Sequence, residues 1–426
     1  MSLVYYGYMY DLLAQTGSLW DQFGQSFAAL GLILKYIPYW GPPVLLVTFW
    51  RLWMRYVRAR FIEAQDYTLL EIRLPAEVMK SPLAMTAVFE GLWAKGGEST
   101  FIDRMWLGKV RLWYSFELVS HEGQVRLYVW VRSAFRRMVE RMFYAHYPDV
   151  ELVEADDYAL QFPFSLDSHN LYGIDYKLKG ATGLPIKTFV EYNLDQTQPK
   201  EEQKTDPMAH LLEFLGSMGK GEHLWIQLIC RAHKAEDVTF GAYYTKKTYT
   251  ELAQEKISSI RSKPEETVVF PDGSTGKQLS EKQKDEIKAI TRNMQRTAVW
   301  EVGARCLYIA EHEYFDGPTI PGMQALWQPF GMPGYNAIVP VGNRWQNVLD
   351  YPWQDFNGLR ENRMKVKHVD AYRRRSWFHA PYVYRPMLLT SEELATLYHL
   401  PGTVAKTPSV QRIESLRAQA PSNLPV

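Results

Sequence analysis

"VRLWYSFELVSHEGQVRLYVWV", residues 110–131, alternates apolar and polar side chains on either side of the turn SHEGQ, the pattern of a β-hairpin. Upstream, TLLEIRL (68–74) places Leu70, Ile72 and Leu74 on one face and Glu71 and Arg73 on the other, which is a half-buried strand. Between the two, Ser81 and Pro82 open a helix whose Met85, Val88, Phe89, Leu92 and Trp93 recur at 3.6-residue spacing. After the hairpin a second helix begins past Ser133, with Phe135, Met138, Val139, Met142 and Phe143 inward and Arg136, Arg137, Glu140 and Arg141 outward. Pro148 ends it, and VELVE (150–154) supplies a fourth strand. The order is βαββαβ, the ferredoxin-like arrangement.

The same order is read again further on. PIKTFVEY (185–192) is taken as a strand, and Asp206-Pro207 opens a helix with the stripe Met208, Leu211, Leu212 and Leu215. HLWIQLIC (223–230) and AVWEVGARCLYIA (298–310) are the next strands, the latter with Trp300, Val302, Ala304, Cys306 and Tyr308 on one face. A helix around Met323, Leu326 and Trp327 and the run AIVPV (337–341) complete the unit. Residues 233–297 are a lysine-rich insertion, expected to form two helices on an arm. The expected fold is α+β: an N-terminal membrane helix, then two tandem ferredoxin-like modules, the second with a long helical insertion. The boundaries are 1–65 for the anchor and basic flank, 66–160 and 175–342 for the modules, and 343–426 for an extension with a short helix and a C-terminal strap.

At 46% hydrophobic and 14% aromatic, the 426 residues hold enough apolar material for two or three cores. Lysine plus arginine (48) nearly balances aspartate plus glutamate (47), so any basic surface is local. Cys230 and Cys306 lack the number and spacing of a disulfide framework or zinc site, and read as core residues of a reducing compartment. Phe27 to Trp50 contains one charge, Lys35, and is long enough to cross about 30 Å of hydrocarbon as a helix. Pro38, Pro42 and Pro43 interrupt it, so a kinked span and a re-entrant segment both fit. Arg51, Arg55, Arg58 and Arg60 follow, interleaved with Trp53 and Tyr56. By the positive-inside rule this puts the bulk of the chain on the cytoplasmic side of the inner membrane, with membrane lipid as a partner.

Chemistry-bearing motifs are scarce. PDGSTGK (271–277) has Pro271 where a P-loop requires its first glycine and Gln278 where it requires a hydroxyl, and reads as a turn. EHEY (311–314) lacks a zinc-binding spacing, and Asp156 and Asp157 read as a solvated turn. No Gly-x-Ser-x-Gly or dinucleotide fingerprint is present, so no catalytic residue, metal ligand or cofactor is assigned. The stretch MKVKHVDAYRRRSWFHAPYVYRP (364–386) mixes cations with aromatics. Lys365, Lys367, Arg373, Arg374, Arg375 and Trp377 are therefore candidate contacts for nucleic acid or a partner, a face packed on a neighbouring domain being the other reading. Lys246, Lys247 and Lys256 of the insertion carry the same two readings.

YTLLEIRLP, VRLWYSFELVS, YAHYPDVELVEADDY, DPMAHLLEFLGSMGKGEHLWIQLI and, above all, LTSEELATLYHLPG (389–402) through PSVQRIESLRAQAPSNLPV (408–426) resemble the N-terminal half of membrane-anchored type IV secretion and conjugation ATPases of the HerA and FtsK kind. The resemblance runs from about residue 33 onward. In that family the APSNLP-like strap leads into the motor domain, so the resemblance implies a motor supplied by a second polypeptide or lost. It implies a non-catalytic, membrane-anchored, homo-oligomeric subunit that docks a HerA/FtsK-type ATPase, through a strap that includes Leu394, Leu397, Tyr398, Pro401, Pro421 and Pro425. A stand-alone membrane-bound nucleic-acid-binding protein, with DNA as its partner, is the alternative.

Overall fold

The alternating runs assemble into one ten-stranded, mostly antiparallel sheet in a mixed α+β chain. The computed structural model describes residues 35–75, 80–98, 100–195, 206–234, 236–239, 242–245, 248–269, 275–296, 298–342, 351, 353–402 and 412–413. The first strands are β1 (Tyr67–Pro75), β2 (Trp113–His121), β3 (Gln124–Arg132) and β4 (Glu151–Ala155). They pair antiparallel in the order β4-β1-β3-β2. The second set is β5 (His169–Leu178), β6 (Glu222–Ala232), β11 (Val299–Glu311) and β12 (Ile338–Pro340), paired in the equivalent order β12-β5-β11-β6. β2 lies antiparallel to β6, with Glu117 opposite Gln227 and Trp113 opposite Arg231, so the two quartets meet through their second strands. Two further strands, β13 (Met387–Thr390) and β14 (Arg412–Ile413), pair with β11 and β1 respectively.

The first strand of the second quartet is β5, not residues 185–192. Pro185 has no N–H to give a ladder, and the Thr188 amide and hydroxyl both donate to Glu191 at 2.7 and 2.6 Å, which curls the chain into a turn. Lys187 N donates to Phe330 O, outside any strand ladder. The insertion also differs from the expectation. Besides α7 (Tyr249–Arg261) and α8 (Glu281–Met294) it holds two hairpins, β7 (Glu236–Thr239) with β8 (Ala242–Thr245), and β9 (Glu266–Val269) with β10 (Thr275–Gln278). EDVT, AYYT and ETVV carry the β-branched and aromatic residues that suit strands. Residues 275–277 of PDGSTGK are strand; 271–274, Lys246 and Lys247 lie outside the described residues.

The chain forms two compact units, residues 1–59 and 60–426. Residues 35–63 are helical (α1). Among the described residues no helix is long and apolar enough to cross a membrane; the expected span over 27–50 lies only in part within those residues. Within 35–50, three prolines, a glycine, two tyrosines and two tryptophans dilute the aliphatic content, and residues 27–34 lie outside the described residues. Yet α1 exposes Tyr39, Leu45, Leu46 and Phe49, each by more than half of its surface.

Both faces of the sheet are buried. On one, Leu70, Phe116, Leu118, Ile226 and Trp300 pack against α2 (Pro82–Leu92), α4 (Arg136–His146), α6 (Pro207–Gly216), α9 (Thr319–Ala325) and α11 (Ser391–Leu397). On the other, Trp113, Trp130, Trp225 and Leu307 lie beneath Tyr158 of α5 (Tyr158–Gln161), Val369 and Tyr372 of α10 (Leu359–Arg373), and Trp377. Cys230 and Cys306 are buried free thiols within strands, consistent with their core reading.

All seven residues of α11 are buried, so this helix has no solvent face. Its polar side chains are retained because each is tied down. Thr390 and Glu393 form a reciprocal capping box, and the Thr390 hydroxyl also lies 2.9 Å from Asn293 Oδ1. Thr390→Ala should lower stability by about 1–2 kcal/mol, seen as a lower urea midpoint at unchanged slope. Thr390→Ser should recover most of it; an unchanged midpoint for the alanine variant would show that the cap is idle.

Candidate functional site

The basic and aromatic stretch 364–386 folds onto the sheet instead of facing outward as a unit. α10 ends at Arg373, and Arg375 takes the left-handed conformation, φ 46°, that usually falls to glycine past a helix C-terminus. Ser376 N donates to Ala371 O and Arg375 N to Tyr372 O, closing the helix end. This turn delivers the Arg375 guanidinium to the middle of the β2–β6 seam. There Nε donates to Glu117 Oε1 at 3.0 Å and Nη2 to Oε2 at 3.2 Å, while Nη1 and Nη2 reach the Asp157 carboxylate. Glu117, with no exposed surface, also accepts from Ser115 Oγ (2.6 Å), Gln227 Nε2 (3.0 Å) and the Tyr158 hydroxyl (2.8 Å). Tyr158 and Tyr372 hydroxyls meet at 2.7 Å. Burial, reinforced by the nearby Glu117 charge, pushes both phenols up, and they stay protonated. Burial works against the Arg375 charge, but Glu117 and Asp157 more than offset it and the guanidinium stays charged. Every charge here has an internal partner, the signature of a structural node.

The other candidates of this stretch divide between interior and surface. Trp377 is buried against Gly303, where a Cβ would come within 2.2 Å of its ring, so only glycine fits. Arg373 donates to Ala159 O and Phe162 O at the end of α5. Lys365 bonds Asn170 and pairs with Glu361. Arg374 is exposed and chelated by Asp370, and Lys367 is exposed. Asp157, read as part of a solvated turn, caps α5 and holds Arg375; Asp156 is exposed.

The docking residues Leu394, Leu397, Tyr398 and Pro401 are buried, and a side chain with no surface cannot touch a partner. Pro421 and Pro425 lie outside the described residues. What does reach solvent beside α11 is a cleft of about 540 Å³ between α8 and the loops around 188 and 335, lined by Thr188, Glu191, Lys282, Arg292, Tyr335 and Glu392. Arg292 joins Glu191 (2.9 Å) to Glu392 (2.7 Å), and Arg296 takes the other Glu392 oxygen at 2.8 Å. The insertion is thereby clamped to α11. Asn293 adds a bond to Glu393, whose carboxyl burial pushes its pKa up. In the same cleft the Thr188 hydroxyl lies 2.6 Å from Glu191 Oε2 and 2.8 Å from Glu392 Oε1.

A second buried node lies near the end of β6. Burial would raise the Glu301 pKa, but the His233 hydrogen bond with Arg231 and Arg111 reverses this and holds it at about 2. Among the described residues no group of three or more His, Cys, Asp or Glu side chains is arranged to hold a metal ion. Of the membrane flank, Arg51, Arg55 and Arg60 are exposed and Arg58 is half-buried.

Sequence reasoning missed Glu117 and Gln227, whose partners lie far away in the chain; the one local hint was a lone carboxylate in the strand WYSFELVSH. No known protein family matches the chain, and no curated protein matches it significantly.

Proposed function

We propose that this chain is a non-catalytic scaffold subunit of a type IV secretion or conjugation-like machine. It sits at the cytoplasmic face of the inner membrane through α1 and holds a HerA/FtsK-type motor ATPase by the segment after residue 402. The strand orders β4-β1-β3-β2 and β12-β5-β11-β6 fit the ferredoxin-like pattern, and we read the sheet as two such modules joined edge to edge. The observation that carries the docking reading is α11, buried along its whole length and followed by β14, which lies parallel to β1. A pull on the segment after residue 402 would be borne by the sheet, as a motor mount requires. The exposed apolar residues of α1 and the arginines at 51, 55, 58 and 60 support the membrane reading.

Capture of the full chain from mild-detergent extracts should recover such an ATPase in near-equal amount. Deleting residues 403–426 should release it while leaving urea unfolding within about 1 kcal/mol of the parent. Recovery that survives the deletion would end the docking hypothesis. A second reading, nucleic-acid binding, draws on the exposed cations Arg360, Arg363, Lys367 and Arg374 of the α10 region. It predicts binding that weakens steeply with salt, with a shallower slope for the Lys367→Ala/Arg374→Ala variant; salt-independent retention would dismiss it.

A further inference from the structure

Between α2 and β2 the chain leaves a short apolar wedge on the surface. α3 (Phe101–Met105) and the residues after it expose Phe101 by 49%, Ile102 by 60%, Trp106 by 57% and Leu107 by 51%. The wedge is held in shape. Thr100 and Asp103 form a capping box, Trp106 N and Leu107 N both donate to Ile102 O at 3.0 Å, and Lys109 N donates to Asp103 O at 2.8 Å. Met105, 1% exposed, pins its underside, and Arg104 Nε donates to Glu98 O at 2.8 Å.

Its electrostatics are one-sided. Residues 93–112 carry Lys95, Arg104, Lys109 and Arg111 against Glu98 and Asp103, four cations less two carboxylates, a net charge of +2. Both carboxylates are taken up locally, Glu98 by Arg111 and Asp103 by Lys109 and Thr100. The exposed charge on the loop is therefore Lys95 and part of Lys109. The four apolar side chains offer roughly 400 Å² of surface, about half of what each partner buries in a standard protein interface. A bilayer sets no such minimum, since bulky residues with a cationic rim enter the interface of an anionic leaflet one by one.

We infer that Phe101, Ile102, Trp106 and Leu107 form a second membrane contact, inserting into the headgroup region of an anionic bilayer. The inference rests on the membrane-proximal reading above and adds that residues 60–426 touch lipid themselves, at a fixed point between α2 and β2.

The test uses the full chain. Cys230 and Cys306 have no exposed surface, so an environment-sensitive dye on an Ile102→Cys variant reports that site. A parallel Leu52→Cys variant reports α1. Vesicles of phosphatidylcholine with phosphatidylglycerol and acyl-chain nitroxide lipid should blue-shift and at least halve the emission at both sites. Adding Trp106→Asp and Leu107→Asp should abolish the response at 102 and leave that at 52. A response at 52 without one at 102 overturns the wedge and spares the membrane reading. Silence at both sites removes both. A shift at 102 that grows with protein concentration without lipid identifies a second copy of the chain as the occupant and also overturns the inference.

Discussion

Replacing Arg375 by methionine should destabilise the fold by about 3–5 kcal/mol, because it leaves the Glu117 carboxylate in the middle of the sheet without its cation. Glu117 would keep Ser115, Gln227 and Tyr158 as donors, but these carry no charge. The backbone sharpens the test. Arg375 sits at φ 46°, so Arg375→Gly relieves a left-handed conformation worth about 1–2 kcal/mol while removing the same guanidinium. The glycine variant should thus fall less far than the methionine variant, yet remain at least about 2 kcal/mol below the parent in urea unfolding. The double variant Glu117→Gln/Arg375→Met should recover part of the loss, since removing both charges costs less than orphaning one. If both single variants stay within about 1 kcal/mol of the parent, the seam is not held by this ion pair.

How far the sequence reveals this architecture can be read from β5 and Arg375. The hairpin 110–131 and its flanking helices were legible because their apolar residues repeat at the period of their own element, a local property. β5 was not. Leu171, Ile174 and Tyr176 are interleaved with Asn170, Gly173 and Asp175, and Asp175 belongs in a buried strand only because Arg305, on the neighbouring strand, reaches it at 2.9 Å. PIKTFVEY looked more strand-like, yet the Thr188–Glu191 bonds curl it into a turn. The three consecutive arginines 373–375 illustrate the limit at the candidate site. Composition marks the run as cationic, but Arg373 caps α5, Arg374 faces solvent and Arg375 enters the core. Only tertiary geometry distinguishes them. α11 was legible as a short helix but not by its surroundings, because Glu392 and Glu393 look solvent-facing until Arg292, Arg296 and Asn293 are seen beside them.

Acidification from pH 7 to about 4.5 should cost roughly 2–3 kcal/mol of stability through the end of the β2–β6 seam. His121 and His223 face one another there with Nδ1 atoms 3.2 Å apart, across a directly opposed pair of residues. Burial, then the neighbouring His223 and Arg126, lower the His121 pKa to about 4 against the pull of Glu122. Burial lowers His223 as well. In the unfolded chain both protonate near 6.5, so between that value and about 4 the unfolded state binds more protons and stability falls as pH falls. Two other buried groups act differently. For His399 burial lowers the pKa but Asp206 outweighs it, so its stabilisation is complete below about 6.5 and adds no slope in this window. Glu393, raised by burial, binds its proton more readily when folded and opposes the loss near the lower end. The histidine pair therefore sets the sign. His121→Phe keeps an aromatic ring against Tyr158 and Trp225 and removes one titrating group. It should flatten the curve of unfolding free energy between pH 6.5 and 4.5, and amide exchange in β2 and β6 should quicken on acidification in the parent more than in the variant. Equal slopes for the two proteins would place the acid sensitivity elsewhere. A flattened slope would show that the two strand quartets are held together most firmly when both imidazoles are neutral.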